Sequence, residues 1–204
     1  MRIALPVIFA ATVSAVLALS PTLQAQTAQS SPTTRLNGTI ESIDGANMIV
    51  KTANASRAVT LTPDAAVFAV VKATLADVKP GVFIAVGATP QPDGSQQAIR
   101  VVIFPESMRG LGEGHFPWNR PGTTMTNATV DTAVTSVDGQ VVKVKYKGGE
   151  KNIIVRPDAA ILTYVASDRS ELKPGASVAV SGTAKGGETV EARRINVARG
   201  GAPL

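Results

Sequence analysis

Between Val141 and Tyr146 apolar and polar side chains alternate, with Val142, Val144 and Tyr146 on one parity and Lys143 and Lys145 on the other. A period of two marks a β-strand with one wet face. Upstream, Ala133–Val137 alternates towards Asp138-Gly139. An Asp-Gly between two alternating runs predicts a hairpin, because glycine accepts the positive φ of a tight turn. Lys147-Gly148-Gly149-Glu150 then turns the chain into a strand at Asn152–Val155, Pro157-Asp158 breaks that strand, and Ala160–Tyr164 is a further short apolar run. Ser167–Leu172 reads as one helical turn capped by Ser167 or Asp168, with Leu172 plugging the core. Lys173-Pro174-Gly175 ends that turn, Val178-Ala179-Val180 begins another strand, and Lys185-Gly186-Gly187 leads into the last, Thr189 to Val197.

The same text is written earlier in the chain. Ser42-Ile43-Asp44-Gly45 recurs as Ser136-Val137-Asp138-Gly139, and Pro63-Asp64-Ala65-Ala66 as Pro157-Asp158-Ala159-Ala160. Lys79-Pro80-Gly81 recurs as Lys173-Pro174-Gly175, and Ala98-Ile99-Arg100 as Ala192-Arg193-Arg194. The offset is constant, since 136 − 42, 157 − 63, 173 − 79 and 192 − 98 all equal 94. A register held through four separate segments is a tandem duplication. Val78 stands where the second copy has Leu172.

Each copy is about seventy residues, enough for one modest core. Short strands, frequent turns and one helical turn predict a mainly β fold of two tandem small β-barrels, OB-like or alternatively SH3-like. Closure is expected because an open sheet of this size exposes edges that invite aggregation. The boundaries read as a signal segment at 1–25, an N-terminal segment without structure at 26–34, a first barrel at 35–105, a linker at 106–126, a second barrel at 127–199 and a tail at 200–204.

The repeat resembles a family of exported bacterial domains of unknown function, often found in tandem. The likeness rests on the Asp-Gly hairpin, on Thr62-Pro63-Asp64 with Arg156-Pro157-Asp158, and on Leu172-Lys173-Pro174-Gly175 before an alternating valine strand. It covers both copies and implies OB-like barrels.

Composition adds a compartment. Arg2, an apolar run from Ile3 to Leu19 and the small-residue exit Ser20–Ala25 read as a secretory signal peptide cleaved after Ala25. An uncleaved membrane anchor is the alternative for the same run. The mature chain is expected to be periplasmic or secreted, with no membrane span. It contains no cysteine, so packing alone must hold it. The net charge of +5 is concentrated in the second copy, where 127–204 carries eleven basic and eight acidic residues. This surplus reads as a solvated surface.

Chemistry is sparse. With one histidine and no cysteine, Cys-His nucleophiles and the usual zinc sites are excluded. Asp44, Asp64, Asp138 and Asp158 recur at turns, which favours backbone capping. Ser170–Lys173 fits a Ser-x-x-Lys pattern without the helical context that pattern needs. Gly110–Gly114 lacks the βαβ unit of a phosphate cradle. Asn37-Gly38-Thr39, Asn54-Ala55-Ser56 and Asn127-Ala128-Thr129 fit a glycosylation triplet that arises often by chance. No catalytic residue is assigned and no enzyme activity is expected. Nucleic acid is not an expected partner, since Phe68, Phe83, Phe104, Tyr146 and Tyr164 mostly read as core.

Only the linker is unexplained by the repeat. It holds the sole histidine and tryptophan and two of four methionines. In a structural reading Phe116 and Trp118 pack across the seam between barrels, with Pro117 and Pro121 stiffening the path. In a chemical reading Met108, His115, Trp118 and Met125 form a soft site for Cu(I) or Ag(I). Those ligand types resemble the ones of small periplasmic copper chaperones, whose ligands sit on barrel strands. The expected function is an exported non-catalytic binding or structural module, with an envelope protein or glycan as partner. The alternative is a periplasmic Cu(I)/Ag(I)-binding protein.

Overall fold

The computed structural model describes residues 33–136, 139–186 and 188–204. The signal segment and the expected turn residue Asp138 lie outside them. In chain order the strands are β1 (Thr33–Asp44), β2 (Asn47–Lys51), β3 (Ser56–Lys72), β4 (Phe83–Pro90), β5 (Gln96–Ile103) and β6 (Gly114–Pro117). The second half adds β7 (Thr124–Ser136), β8 (Gly139–Tyr146), β9 (Gly149–Val155), β10 (Ala160–Ser167), β11 (Ser177–Lys185) and β12 (Thr189–Ala198). Three single 3₁₀ turns are the helical content of the described residues. The mainly β expectation holds.

Strands β1, β2, β3, β12 and β11 form a closed five-stranded barrel. β1 pairs antiparallel with β2 and β11, and the barrel closes where β12 runs parallel to β3, Val190 opposite Val59 and Ile195 opposite Val67. A second circuit runs β7, β8, β9, β5, β4, closing through a short parallel contact of Gln96 and Gln97 with Ile153 and Ile154.

Neither circuit follows the repeat boundaries at 35–105 and 127–199. The core of the first takes Ile40, Met48, Val50, Val59, Leu61 and Val67 from copy one, and Leu172, Val178, Val180, Val190, Ala192, Ile195 and Val197 from copy two. The core of the second takes Val78, Ile84, Val86, Ala88, Ala98, Val101 and Ile103 from copy one, with Ala128, Val130, Val142, Val144, Ile153 and Val155 from copy two. The copies have exchanged their C-terminal halves. Neither copy by itself covers a core, so the duplication folds as one intertwined unit.

Through Thr62-Pro63-Asp64 and the apolar run Val67-Phe68-Ala69-Val70-Val71, β3 stays extended for 17 residues, about 55 Å at ~3.3 Å per residue. It leaves the first circuit and delivers β4 and β5 to the second. Its counterpart β10 does the reverse, and the two crossing strands pair antiparallel over Val67–Lys72 and Leu162–Ser167. Val70 lies opposite Tyr164, its own repeat equivalent (164 − 70 = 94), so a pseudo-twofold axis passes between them. Pro157-Asp158 separates β9 from β10 as expected. Pro63 does not break β3; it falls where the β3–β12 ladder shifts register between Ala192 and Arg194, so its missing N–H costs no ladder bond.

The helical turn after β10 covers Arg169–Glu171, with the Asp168 carboxylate accepting from Ser170 N–H at 2.7 Å. Leu172 follows it and is buried, as is Val78 in the matching position. Segment 106–126 is more ordered than a linker. It carries a 3₁₀ turn at Glu106–Met108, all of β6 and the start of β7. Thr33 and Thr34 also belong to β1, pairing with Thr183 and Gly182. No helix among the described residues is long and apolar enough to cross a membrane.

Candidate functional site

Where the strands cross, β12, β3, β10 and β5 lie side by side. Their alternation sends Val67, Ile195, Val101 and Ile103 into the two cores. The opposite parity brings Arg194 and Asn196 of β12, Ala66, Phe68 and Val70 of β3, Leu162 and Tyr164 of β10, and Arg100 and Val102 of β5 onto one outer face. Phe104, just past β5, continues this set. Phe68 and Tyr164 rings are 6.2 Å apart, Tyr164 and Phe104 5.5 Å, and Phe104 and Phe83 5.6 Å. Of the aromatics expected in the barrel cores, Phe83 is buried, whereas Phe68, Phe104 and Tyr164 are half-buried on this outer surface.

One side of the face is covered by the C-terminal residues. Arg199 N–H donates to Val70 C=O at 2.9 Å, and Ala202 is buried against Val70, Ala85, Val102 and Leu162. Leu204 packs on the same cluster, and the Arg100 guanidinium donates to its main-chain oxygen at 3.1 Å. Residues 200–204 are therefore an integral covering element. Between them and Asn37, Thr39 and Ser177 of β1 and β11 lies a cleft of about 390 Å³.

The other side carries Arg194. It is the repeat equivalent of Arg100 (194 − 100 = 94), and both are half-buried. Burial pushes both guanidinium groups below their ordinary range. Burial likewise pushes the Tyr164 hydroxyl up, against the pull of Arg194, Arg100 and Arg35. Arg35 sits in the same register row, Arg35–Ser181–Arg194, across β1, β11 and β12. Among the described residues Arg194 Nε and the Oδ1 of Asn196 are buried without a hydrogen-bond partner.

The four residues read as a soft-metal set are not brought together as a whole, although Trp118 lies on Gly87, the β4 residue opposite Met125. His115 faces Thr126 across β6–β7, its Nδ1 2.8 Å from the Thr126 hydroxyl, and its ring stacks 6.2 Å from Tyr146. Burial, then the Lys151 charge, pushes its pKa down. Met125 is one residue along β7, so it points to the opposite face, where it packs with the cluster around Val102. Met108 is buried in its 3₁₀ turn. The Trp118 indole lies on Gly87 of β4, where a Cβ would come within 2.6 Å of the ring, and Arg120 caps it at 5.2 Å. Thus His115 and Met125 are held apart by strand alternation. Nor do Phe116 and Trp118 form the seam: Phe116 is 42% exposed and Trp118 packs on one circuit's wall. The seam aromatics are Phe68, Tyr164 and Phe104.

A smaller cleft of about 210 Å³ lies between the turn at Asp93–Ser95 and Glu150–Asn152. The Asp93 carboxylate there already accepts from the Ser95 N–H and hydroxyl at 2.9 and 2.6 Å. Sequence reasoning found the Arg100/Arg194 recurrence but not its meaning; the signal was an arginine kept before a buried apolar residue in both copies, Arg100-Val101 and Arg194-Ile195. No family model, curated protein or solved structure matches this chain.

Proposed function

We propose that this chain is an exported, non-catalytic binding module built of two intertwined OB-like barrels, and that the outer face of β12, β3, β10 and β5 is its binding surface. The OB-like reading is supported by the strand order of both circuits, with the third strand closing in parallel on the fifth, and by the 3₁₀ turn between third and fourth strands. The observation that carries the functional reading is the composition of this face. Half-buried aromatics stand beside the half-buried Arg194, with the exposed Arg35 in its register row, and among the described residues no carboxylate forms an ion pair with either arginine. Holding cations partly out of water without counter-charges is unfavourable, and such groups concentrate where a ligand completes the arrangement.

The export reading rests on the sequence of residues 1–25 and the partner is an envelope component. The test is an amide NMR survey of the mature protein against panels of glycans and peptides. Shifts clustered at Arg35, Ala66–Val70, Leu162–Tyr164 and Arg194–Asn196, without turnover of the compound, support the module. Shifts confined to other surfaces, or chemical conversion of a panel member, overturn it.

A further inference from the structure

The internal duplication supplies its own comparison. Arg100 and Arg194 occupy equivalent positions on either side of the Val70/Tyr164 axis. Arg100 has an oxygen to donate to, the main-chain oxygen of Leu204 at 3.1 Å. Arg194 is the same half-buried guanidinium with its Nε left unpartnered. The surroundings also differ in a consistent direction. Where the covered side has Val102 and Gly87, the offset of 94 places Asn196 and Ser181 on the open side. Strand β1 follows β7 at an offset of 90, since their bulges fall at Glu41 and Asp131, and so Arg35 stands where the covered side has Met125. An apolar groove that takes the chain's own apolar tail has become, on the other side of the axis, a polar and cationic one.

We propose that Arg35, Arg194 and Asn196 form an oxyanion site that takes the acidic group of a hydroxyl-bearing ligand, an acidic saccharide. Two guanidinium groups in one register row repel each other, and the Arg35 charge acts directly on Arg194. A carboxylate, sulfate or phosphate between them relieves that repulsion. Glu191, a carboxylate of the same strand, is held by Lys185 at 3.1 Å. Asn196 is 7% exposed, and its Oδ1 lacks a donor among the described residues. Asn37 lies in register with Asn196 across Ala179, and with Thr39 and Ser177 it forms one wall of the 390 Å³ cleft, whose other wall is Ala202–Leu204, adding amide and hydroxyl partners beside the arginines for a polyol. The half-buried Phe68 ring, opposite Asn196 on β3, offers a flat surface for the apolar side of a sugar ring.

This inference rests on the binding-module reading, and the experiment separates the two. The mature protein is titrated with an oligogalacturonate, with the matching neutral oligosaccharide and with inorganic phosphate, by calorimetry and amide NMR. The expected result is binding of the acidic oligomer alone, weakened at least tenfold in Arg194→Gln and in Arg35→Gln. Arg35 is exposed, so its variant keeps the fold and remains informative if Arg194→Gln is destabilised. Binding unchanged in both variants overturns the site, as does no binding of the acidic oligomer. Equal binding of inorganic phosphate overturns the saccharide and leaves a bare oxyanion site. Any other ligand found on the same face keeps the module reading while removing this one.

Discussion

Leu172 belongs to the second copy of the repeat, yet its side chain is 3% exposed in a core shared with Ile40, Met48 and Val50 of the first. In sequential barrels it would share a core with Val142 and Val144 instead. Leu172→Ala therefore distinguishes the two arrangements. Removing a fully buried leucine costs about 2–5 kcal/mol, depending on how far the site collapses. The segment after it is held on β1 by Gly175 N–H to Ile40 C=O at 2.8 Å and Ile40 N–H to Ala176 C=O at 2.9 Å. Combined with the mild Ile40→Val, the double variant is expected to depart from additivity by about 0.5 kcal/mol or more. Combined with Val142→Ala, in the other core, it is expected to be additive within about 0.5 kcal/mol. Urea unfolding gives the energies, and amide exchange shows where protection is lost, expected in β1 and β2. Coupling of Leu172 to Val142 but not to Ile40, or loss of protection confined to β7 and β8, would refute the exchange of halves. Val78→Ala is the mirror experiment, with protection lost in β7 and β8.

Gly87→Ala places a Cβ 2.6 Å from the Trp118 ring, and the ring must move outward; emission of the sole tryptophan should shift to the red, and unchanged emission would disprove the contact. Gly182→Ala brings a Cβ within 2.0 Å of the Glu191 main-chain oxygen, which cannot swing away as a side chain can. A loss of about 1–3 kcal/mol is expected there. Gly186→Ala meets nothing within 4 Å and should stay within about 0.5 kcal/mol of wild type by urea melt. His115 has its pKa pushed down by burial, so the unfolded chain takes up the proton first. Its contribution is full above the unfolded value of about 6.5, declines as pH falls from there to the folded pKa, and then levels off. Relative to His115→Gln, wild-type protein should lose stability across that window; parallel pH profiles would show that the imidazole is not desolvated.

Much of the local structure was written in the chain. The alternation at Val141–Tyr146, the strands from Ser177 and Thr189 and the capped turn at Asp168–Leu172 depend on near-neighbour periodicity and turn chemistry, which sequence carries directly. The duplication also fixed which residues are buried at matching positions, Leu172 with Val78 and Val180 with Val86. Turn placement was less legible. The first hairpin turns at Gly45-Ala46, between the closing pair Asp44 and Asn47, whereas in the second Gly139 opens β8 opposite Ser136.

The partnership of the halves was decided only in three dimensions. Two copies of one pattern present the same alternation to either partner, so nothing local says whether β11 joins β1 or β7. Apolar residues occupy both parities of Val67–Val71, and nothing local says what covers each face. The choice fell to the extended course of β3 through Val67–Lys72 and to its antiparallel crossing with β10. The candidate site follows from the same event. Alternation put Phe68 on the parity opposite Val67, and the repeat marked Arg100 and Arg194 as equivalent. That one guanidinium meets a tail oxygen while the other meets none among the described residues is a property of the assembled fold, because only one side of the pseudo-twofold axis is covered by residues 199–204.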